Sequence, residues 1–198
     1  MGSTPPWVRA KTRYLPGITA TPSSRLHGEG RTILVVYGRG GQPGDGEAMA
    51  RAAKSCPDWR WRVMGPCSVP RHLPENLDML GWVVDPDREI AAATVVVGAA
   101  GDGLVGSILA ADRPFICIPE DRPFGEQQAM ARGLNKVGAA IVLSRWPDVA
   151  QWDALIAEAI ALGSEARRRL HDPDGVRVAA QWLQGVADRQ GPAWDQAA

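Results

Sequence analysis

Apolar, largely β-branched runs recur along the chain at 32–37 (TILVVY), 95–97 (VVV), 115–118 (FICI) and 138–143 (GAAIVL), each bounded by glycine, proline or polar residues. None alternates with polar residues, as a strand with one wet face does. Continuous apolar runs of this length are strands of a parallel sheet covered on both faces. A further run, 59–64 (WRWRVM), alternates apolar residues with arginine, which places it nearer a sheet edge. Helical segments lie between the runs. Residues 45–55 form one, with Asp45 as N-cap, and 85–93 form another, capped by Asp85 with Pro86 at its first position. A third runs from about residue 104 to 111. Residues 146–161 place Val149, Trp152, Ile156, Ala159 and Ile160 on one face and stop at Gly163, and 175–189 carry Val178, Trp182 and Val186 on one stripe. Strands alternating with helices predict an α/β fold: a Rossmann-like, doubly wound parallel sheet in a single domain.

In such a sheet ligands bind beyond the carboxyl ends of the strands, near the point where the strand order reverses. Two glycine-rich loops follow strands here. Gly98, Gly101 and Gly103 lie between the 95–97 strand and the next helix, and Gly38-Arg39-Gly40-Gly41-Gln42-Pro43-Gly44 follows the first strand. A strand, a glycine turn and a helix start let the backbone approach an anion closely and point free N–H groups at it. Both loops leave carboxyl ends and so face the same side of the sheet, which suits one phosphate-bearing ligand between them. The first loop is not a Walker A loop, because no lysine closes it. It does not suit NAD either: the third glycine is displaced to Gly44, and the second strand ends Val63-Met64-Gly65-Pro66 without the acid that holds a ribose. A plain tight strand-to-helix turn is the alternative reading of this loop.

Charge narrows the partners. Lys+Arg and Asp+Glu stand at 22 each, so net charge is zero, which argues against a nucleic-acid partner held on a broad basic surface. No apolar run reaches the roughly 18 residues of a membrane span and the N-terminus lacks a signal peptide's apolar core, so a cytoplasmic protein is expected. Arg167, Arg168 and Arg169 read as a solvated surface, with peripheral contact to an anionic membrane as the weaker alternative. Cys56, Cys67 and Cys117 show no ligand spacing, and His27, His72 and His171 are scattered, so no metal site is expected and the thiols are expected to be reduced and structural.

Residues 94–131 (TVVVGAAGDGLVGSILAADRPFICIPEDRPFGEQQAMA) resemble the donor-binding half of GT-B glycosyltransferases of the MurG-like kind. That pattern runs strand, Gly-x-Gly-Thr turn, helix with Glu, Gly-x-Pro, strand ending in Pro, acid-Gln pair and x-x-Asn-Ala. Gly101 and Gly103 fall on the loop glycines, Pro114 and Pro119 on the prolines, Glu126 and Gln127 on the acid-Gln pair, and Met130-Ala131 on Asn-Ala. Leu104 stands where the family has Thr, Ser107 where it has the helix Glu, and Asp112 where it has Gly.

The resemblance implies a nucleotide-sugar substrate, with a UDP- or dTDP-sugar giving up a hexosyl group, and neither a cofactor nor an obligatory metal. The departing diphosphate is then stabilised by the N–H groups around Gly103, Leu104 and Val105 and by the helix dipole. Gly38, Arg39, Gly40 and Gly41 lie beside the donor's phosphates and sugar. Trp82 and the Val83 backbone present the base, the alternative for Trp82 being that it fills core volume. Glu126 and Gln127 hold sugar hydroxyls, the alternative for Glu126 being a solvated loop charge. Ser107 is too short to copy the Glu that accepts both ribose hydroxyls, which puts donor affinity, donor pose or catalysis in question.

The same resemblance implies an N-terminal acceptor-binding domain or a partner subunit. It makes residues 1–31, which are rich in Pro, Ser, Thr and Gly, a tail and interdomain linker, with Arg13-Tyr14-Leu15-Pro16-Gly17 as the exit from that first domain. The nucleotide-sugar-binding domain then spans 32–190, and 191–198 is a tail. No catalytic residue is assigned, because the base that activates the acceptor belongs to the other domain. The alternative is a non-catalytic nucleotide-sugar-binding or scaffold module. A UDP-sugar 2-epimerase relative would need acids and a histidine that the sequence does not supply.

Overall fold

The computed structural model describes residues 5–13, 15, 19 and 30–190. Tyr14, Pro16, Gly17, His27 and the segment 191–198 lie outside the described residues. A short helix, α1 (Pro6–Lys11), buries none of its residues. The remaining chain alternates β1 (Thr32–Val36), α2 (Gly46–Ser55), β2 (Arg60–Met64), β3 (Leu77–Gly81), α3 (Pro86–Ala92), β4 (Val95–Gly98), α4 (Asp102–Ala111), β5 (Phe115–Cys117), α5 (Glu126–Lys136) and β6 (Ile141–Val142). Three helices close it: α6 (Trp152–Ala161), α7 (Glu165–Leu170) and α8 (Gly175–Gln190).

The six strands form one parallel sheet in the order β3-β2-β1-β4-β5-β6. Because successive side chains point to opposite faces of a strand, each apolar run feeds two cores. Ile33, Val35, Trp61, Val63, Val95, Val97 and Ile116 pack with α2 and α6 on one face. Leu34, Val36, Met64, Val96, Phe115 and Cys117 pack with α3, α4 and α5 on the other. The doubly wound expectation holds, and its cause is that alternation.

Strand β2 lies near an edge, as its arginines suggest, but does not form it; it runs between the edge strand β3 and β1. The arginines survive one strand in from the edge because each finds a carboxylate. Arg60 reaches Asp78 on β3 with an Nε–Oδ2 distance of 2.7 Å, and Arg62 pairs with Glu89 on α3. The helix expected over 146–161 starts later, at Trp152, after a 3₁₀ turn over Val149–Gln151. Pro147 precedes Asp148, whose side chain and that of Gln151 close a capping box there, and Val149 and Ile160 stay exposed at 44% and 43%.

The basic helix α7 is also not a simple solvated surface. Arg167 is 3% exposed and donates from Nε to Asp112 at 3.0 Å, while Arg168 donates to the other carboxylate oxygen at 2.8 Å. Asp112 ends α4 in the left-handed region at φ 52° and ψ 47°. That is the position at which the GT-B pattern carries Gly, and Asp is among the few residues that tolerate the conformation. Here the aspartate adds a use, tying α4 to α7.

Candidate functional site

Strands β1 and β4 are neighbours, and the strand order reverses between them, so the crevice of the fold opens above their carboxyl ends. Both glycine loops leave those ends. Beyond β4, Gly101 caps α4 in an extended conformation and the helix begins at Asp102, earlier than the pattern suggests. The Val105 amide donates to the Gly101 carbonyl at 2.9 Å, so it is already spent inside the helix. The amides left without intrahelical acceptors are those of Asp102, Gly103 and Leu104. Val105 therefore drops out of the expected anion-facing set and Asp102 enters it. A Cβ added at Gly101 or Gly103 would meet nothing within 4 Å among the described residues, so none of them blocks the start of the helix there. Leu104 folds back over the end of β4: a Cβ on Gly98 would lie 2.7 Å from its Cδ2. The Leu that replaces Thr is thus a packing residue whose amide remains available.

The first glycine loop lies against the loop after β5. Glu120, one residue past Pro119, places a carboxylate oxygen 3.3 Å from the Gln42 amide, and its other oxygen accepts from Arg122 at 2.8 Å. A Cβ on Gly41 would sit 2.4 Å from the same carboxylate, so any other residue there would push the Glu120 side chain out of its present place. Gly40 faces the Arg122 guanidinium, where a Cβ would lie 3.5 Å from Nη2, and Gly38 faces open space. Beneath them the Tyr37 hydroxyl is pushed far above the ordinary phenol range by burial, then by the fields of Cys67, Asp45 and Glu120. It stays protonated at any physiological pH. Sequence reasoning missed Glu120 and Arg122; the signal was an acid and a base two residues apart between Pro119 and Pro123 at a strand's carboxyl end.

Gln127 is engaged inside the fold through its side-chain oxygen. It is 5% exposed, and its Oε1 accepts from the Ala100 amide at 3.2 Å and the Glu120 amide at 2.9 Å. It braces the β4 and β5 loops against each other, and that oxygen is not free for a sugar hydroxyl. Gln128 adds a bond from Nε2 to the Glu120 carbonyl at 3.0 Å. Glu126, at the first position of α5, is exposed and remains the free carboxylate of the pair. Gln127→Leu is expected to lower stability by about 1–3 kcal/mol, because it orphans the two amides, whereas Gln127→Glu keeps an acceptor and loses less. Urea denaturation of the two variants checks this, and an equal effect would contradict the brace.

Trp82 follows β3 and is 59% exposed, so it does not fill the core. Its ring carries the Arg39 guanidinium 5.2 Å from the centroid, a cation–π contact that joins the first loop to the β3 loop. Val83 is partly buried against the α3–α4 side of the core. Ser107 sits half-buried in the second turn of α4, next to Gly106, where a Cβ would meet Thr19 Oγ1 at 2.5 Å.

The cysteines are free, and burial raises Cys56 to about 11 and Cys117 to about 12, so neither offers a thiolate near neutral pH. Among the described residues no group of three or more His, Cys, Asp or Glu side chains is placed to hold a metal ion. A separate cavity of about 200 Å³ lies past β6, beside Arg145 and Trp146, but its Asp148 and Gln151 are spent on the capping box.

No protein-family model matches the sequence, and no curated protein does either. Solved structures do. CalG4, the calicheamicin glycosyltransferase, superposes with a TM-score of 0.66 at 21% identity, over 89% of this chain and 47% of its own. The fold is that of the C-terminal half of a GT-B glycosyltransferase. The spinosyn rhamnosyltransferase SpnG, solved with thymidine diphosphate, matches at 0.60 and 19% identity over 88% of this chain and 50% of its own. MurG of Acinetobacter baumannii matches at 0.57 and 17% identity over 79% and 50%. The chain thus spans about half the length of the GT-B structures it matches.

Proposed function

We propose that the chain is the donor-binding domain of a nucleotide-sugar-dependent glycosyltransferase, taking a UDP- or dTDP-sugar and passing its hexosyl group to an acceptor held by an N-terminal domain or partner subunit. The observation that carries the reading is the open N-terminus of α4 at the switch point. The amides of Asp102, Gly103 and Leu104 and the positive end of the helix dipole face the place where charge builds on a departing diphosphate. Trp82 supplies an exposed flat face joined to the first glycine loop through Arg39, and Glu126 an exposed acceptor for sugar hydroxyls. The nucleotide sugar is substrate, and the amides and dipole do the work of a metal.

A partner domain is supported by what the carboxyl edge exposes. Val69, Trp82, Val84 and Phe124, on the loops after β2, β3 and β5, are 77%, 59%, 104% and 106% exposed. Apolar side chains gathered on the loops of one edge mark a surface that another domain covers. The second reading, a non-catalytic nucleotide-sugar-binding or scaffold module, is favoured by Ser107, which offers one hydroxyl where the pattern has a carboxylate. Calorimetric titration with UDP and then dTDP, with GDP and NAD as competitors, tests the donor-domain reading. Saturable binding of one pyrimidine nucleoside diphosphate is expected, and no binding of any of them at millimolar concentration would refute it.

A further inference from the structure

The first glycine loop already faces an anion, and it is the protein's own. The Glu120 carboxylate accepts one loop amide, that of Gln42, and one guanidinium, that of Arg122. A backbone N–H from a glycine loop together with an arginine is what recognises a phosphate oxygen. The carboxylate does not drift into this position. Its backbone N–H is held by Gln127, its carbonyl by Gln128, and Gly41 leaves the space in which it lies. It is largely shielded, with its side chain 24% exposed and that of Arg122 28% exposed. Among the described residues Arg122 has no other acid partner, so its charge is committed to Glu120.

We propose that Glu120 is an internal counter-anion seated in a phosphate position between the loops that follow β1 and β5, and that a diphosphate ligand binds there by displacing it and taking over Arg122 and the Gln42 amide. The inference rests on the donor-domain reading for the identity of the crevice. It goes beyond that reading by making affinity depend on a carboxylate that opposes the ligand: like charges at contact distance repel strongly where water is partly excluded. Glu120 then sets a threshold. Ligands carrying two phosphates displace it, whereas a nucleoside without phosphate neither displaces nor senses it.

The test is a calorimetric titration of the wild-type chain and of Glu120→Gln and Glu120→Ala with UDP, dTDP, inorganic pyrophosphate and uridine, with circular dichroism and melting curves as fold controls. The Gln variant keeps the shape and the acceptor from the Gln42 amide but removes the charge. Both variants are expected to bind the diphosphates and pyrophosphate about tenfold more tightly or better, by removal of a like charge from the site, and to leave uridine binding unchanged. Binding by the variants alone, with none by wild type at millimolar concentration, overturns the inference, because the ligand then does not displace Glu120 from the native protein. If wild type binds a nucleoside diphosphate and both folded variants bind it no better, the inference falls and the donor-domain reading stands. If neither wild type nor folded variants bind any of the four probes, both fall.

Discussion

Gly103→Trp is expected to abolish saturable nucleoside diphosphate binding, or to weaken it by about a hundredfold, roughly 2.7 kcal/mol, while leaving the melting temperature unchanged or raised. The two halves of that expectation come from one geometric fact. A Cβ at Gly103 meets nothing across the fold within 4 Å among the described residues, so a side chain can start there without a clash. The glycine is absent from the positive-φ positions, so no backbone strain follows the substitution. Glycine is also a poor helix former, and replacing it in the first turn of α4 favours the helix. What the indole does fill is the space in front of the Asp102, Gly103 and Leu104 amides. Loss of binding without loss of stability therefore reports a ligand in that space. Gly103→Ala extends the series: one methyl is expected to cost the ligand far less than the indole. Unchanged UDP and dTDP affinity in Gly103→Trp would move the anion site away from α4.

The fold was legible because each strand writes its two neighbours into its own sequence. Ile33 and Val35 face one core and Leu34 and Val36 the other, so an unbroken apolar run is the expected mark of a strand with helices on both sides. Asp45 and Asp85 were readable as caps because a cap is a local bond: each accepts from an amide two or three residues on. The candidate site was less legible for the converse reason. Glu120 meets Gln42 across 78 residues of sequence, and nothing local announces that pairing. Gln127 stands in a motif whose polarity suggests a ligand contact, yet burial decides what a polar side chain touches, and here it touches two amides. The same logic misplaced Arg167: three consecutive arginines read as surface, but the left-handed turn at Asp112 turns a carboxylate toward α7 and one guanidinium is drawn inside. Local rules recover elements and caps. Long-range pairings between loops need the sheet order first.

Trp152→Ala is expected to lower stability by about 3–5 kcal/mol, a large share of the ~5–15 kcal/mol that holds a domain of this kind together. Trp152 opens α6, is fully buried, and is held between two other indoles. Trp61 of β2 meets it edge-on with centroids 4.9 Å apart, and Trp146, ahead of the capping box, lies at 4.8 Å. Truncation removes both aromatic contacts and leaves a cavity between the sheet and α6. Trp152→Phe is expected to lose less than half as much. It keeps a ring against Trp61 and also removes an indole N–H that is buried without a hydrogen-bond partner, whose desolvation costs about 1–3 kcal/mol in the native protein. The ordering of the two variants separates packing from polarity: if volume alone governed the site, the loss would scale with atoms removed, and the orphaned N–H would not soften the Phe variant. Urea midpoints with unchanged m-values decide it. A loss below about 1 kcal/mol in Trp152→Ala would show that α6 contributes little to this face of the sheet, and that the core drawn by Trp61, Val63 and Val97 is closed by α2 alone.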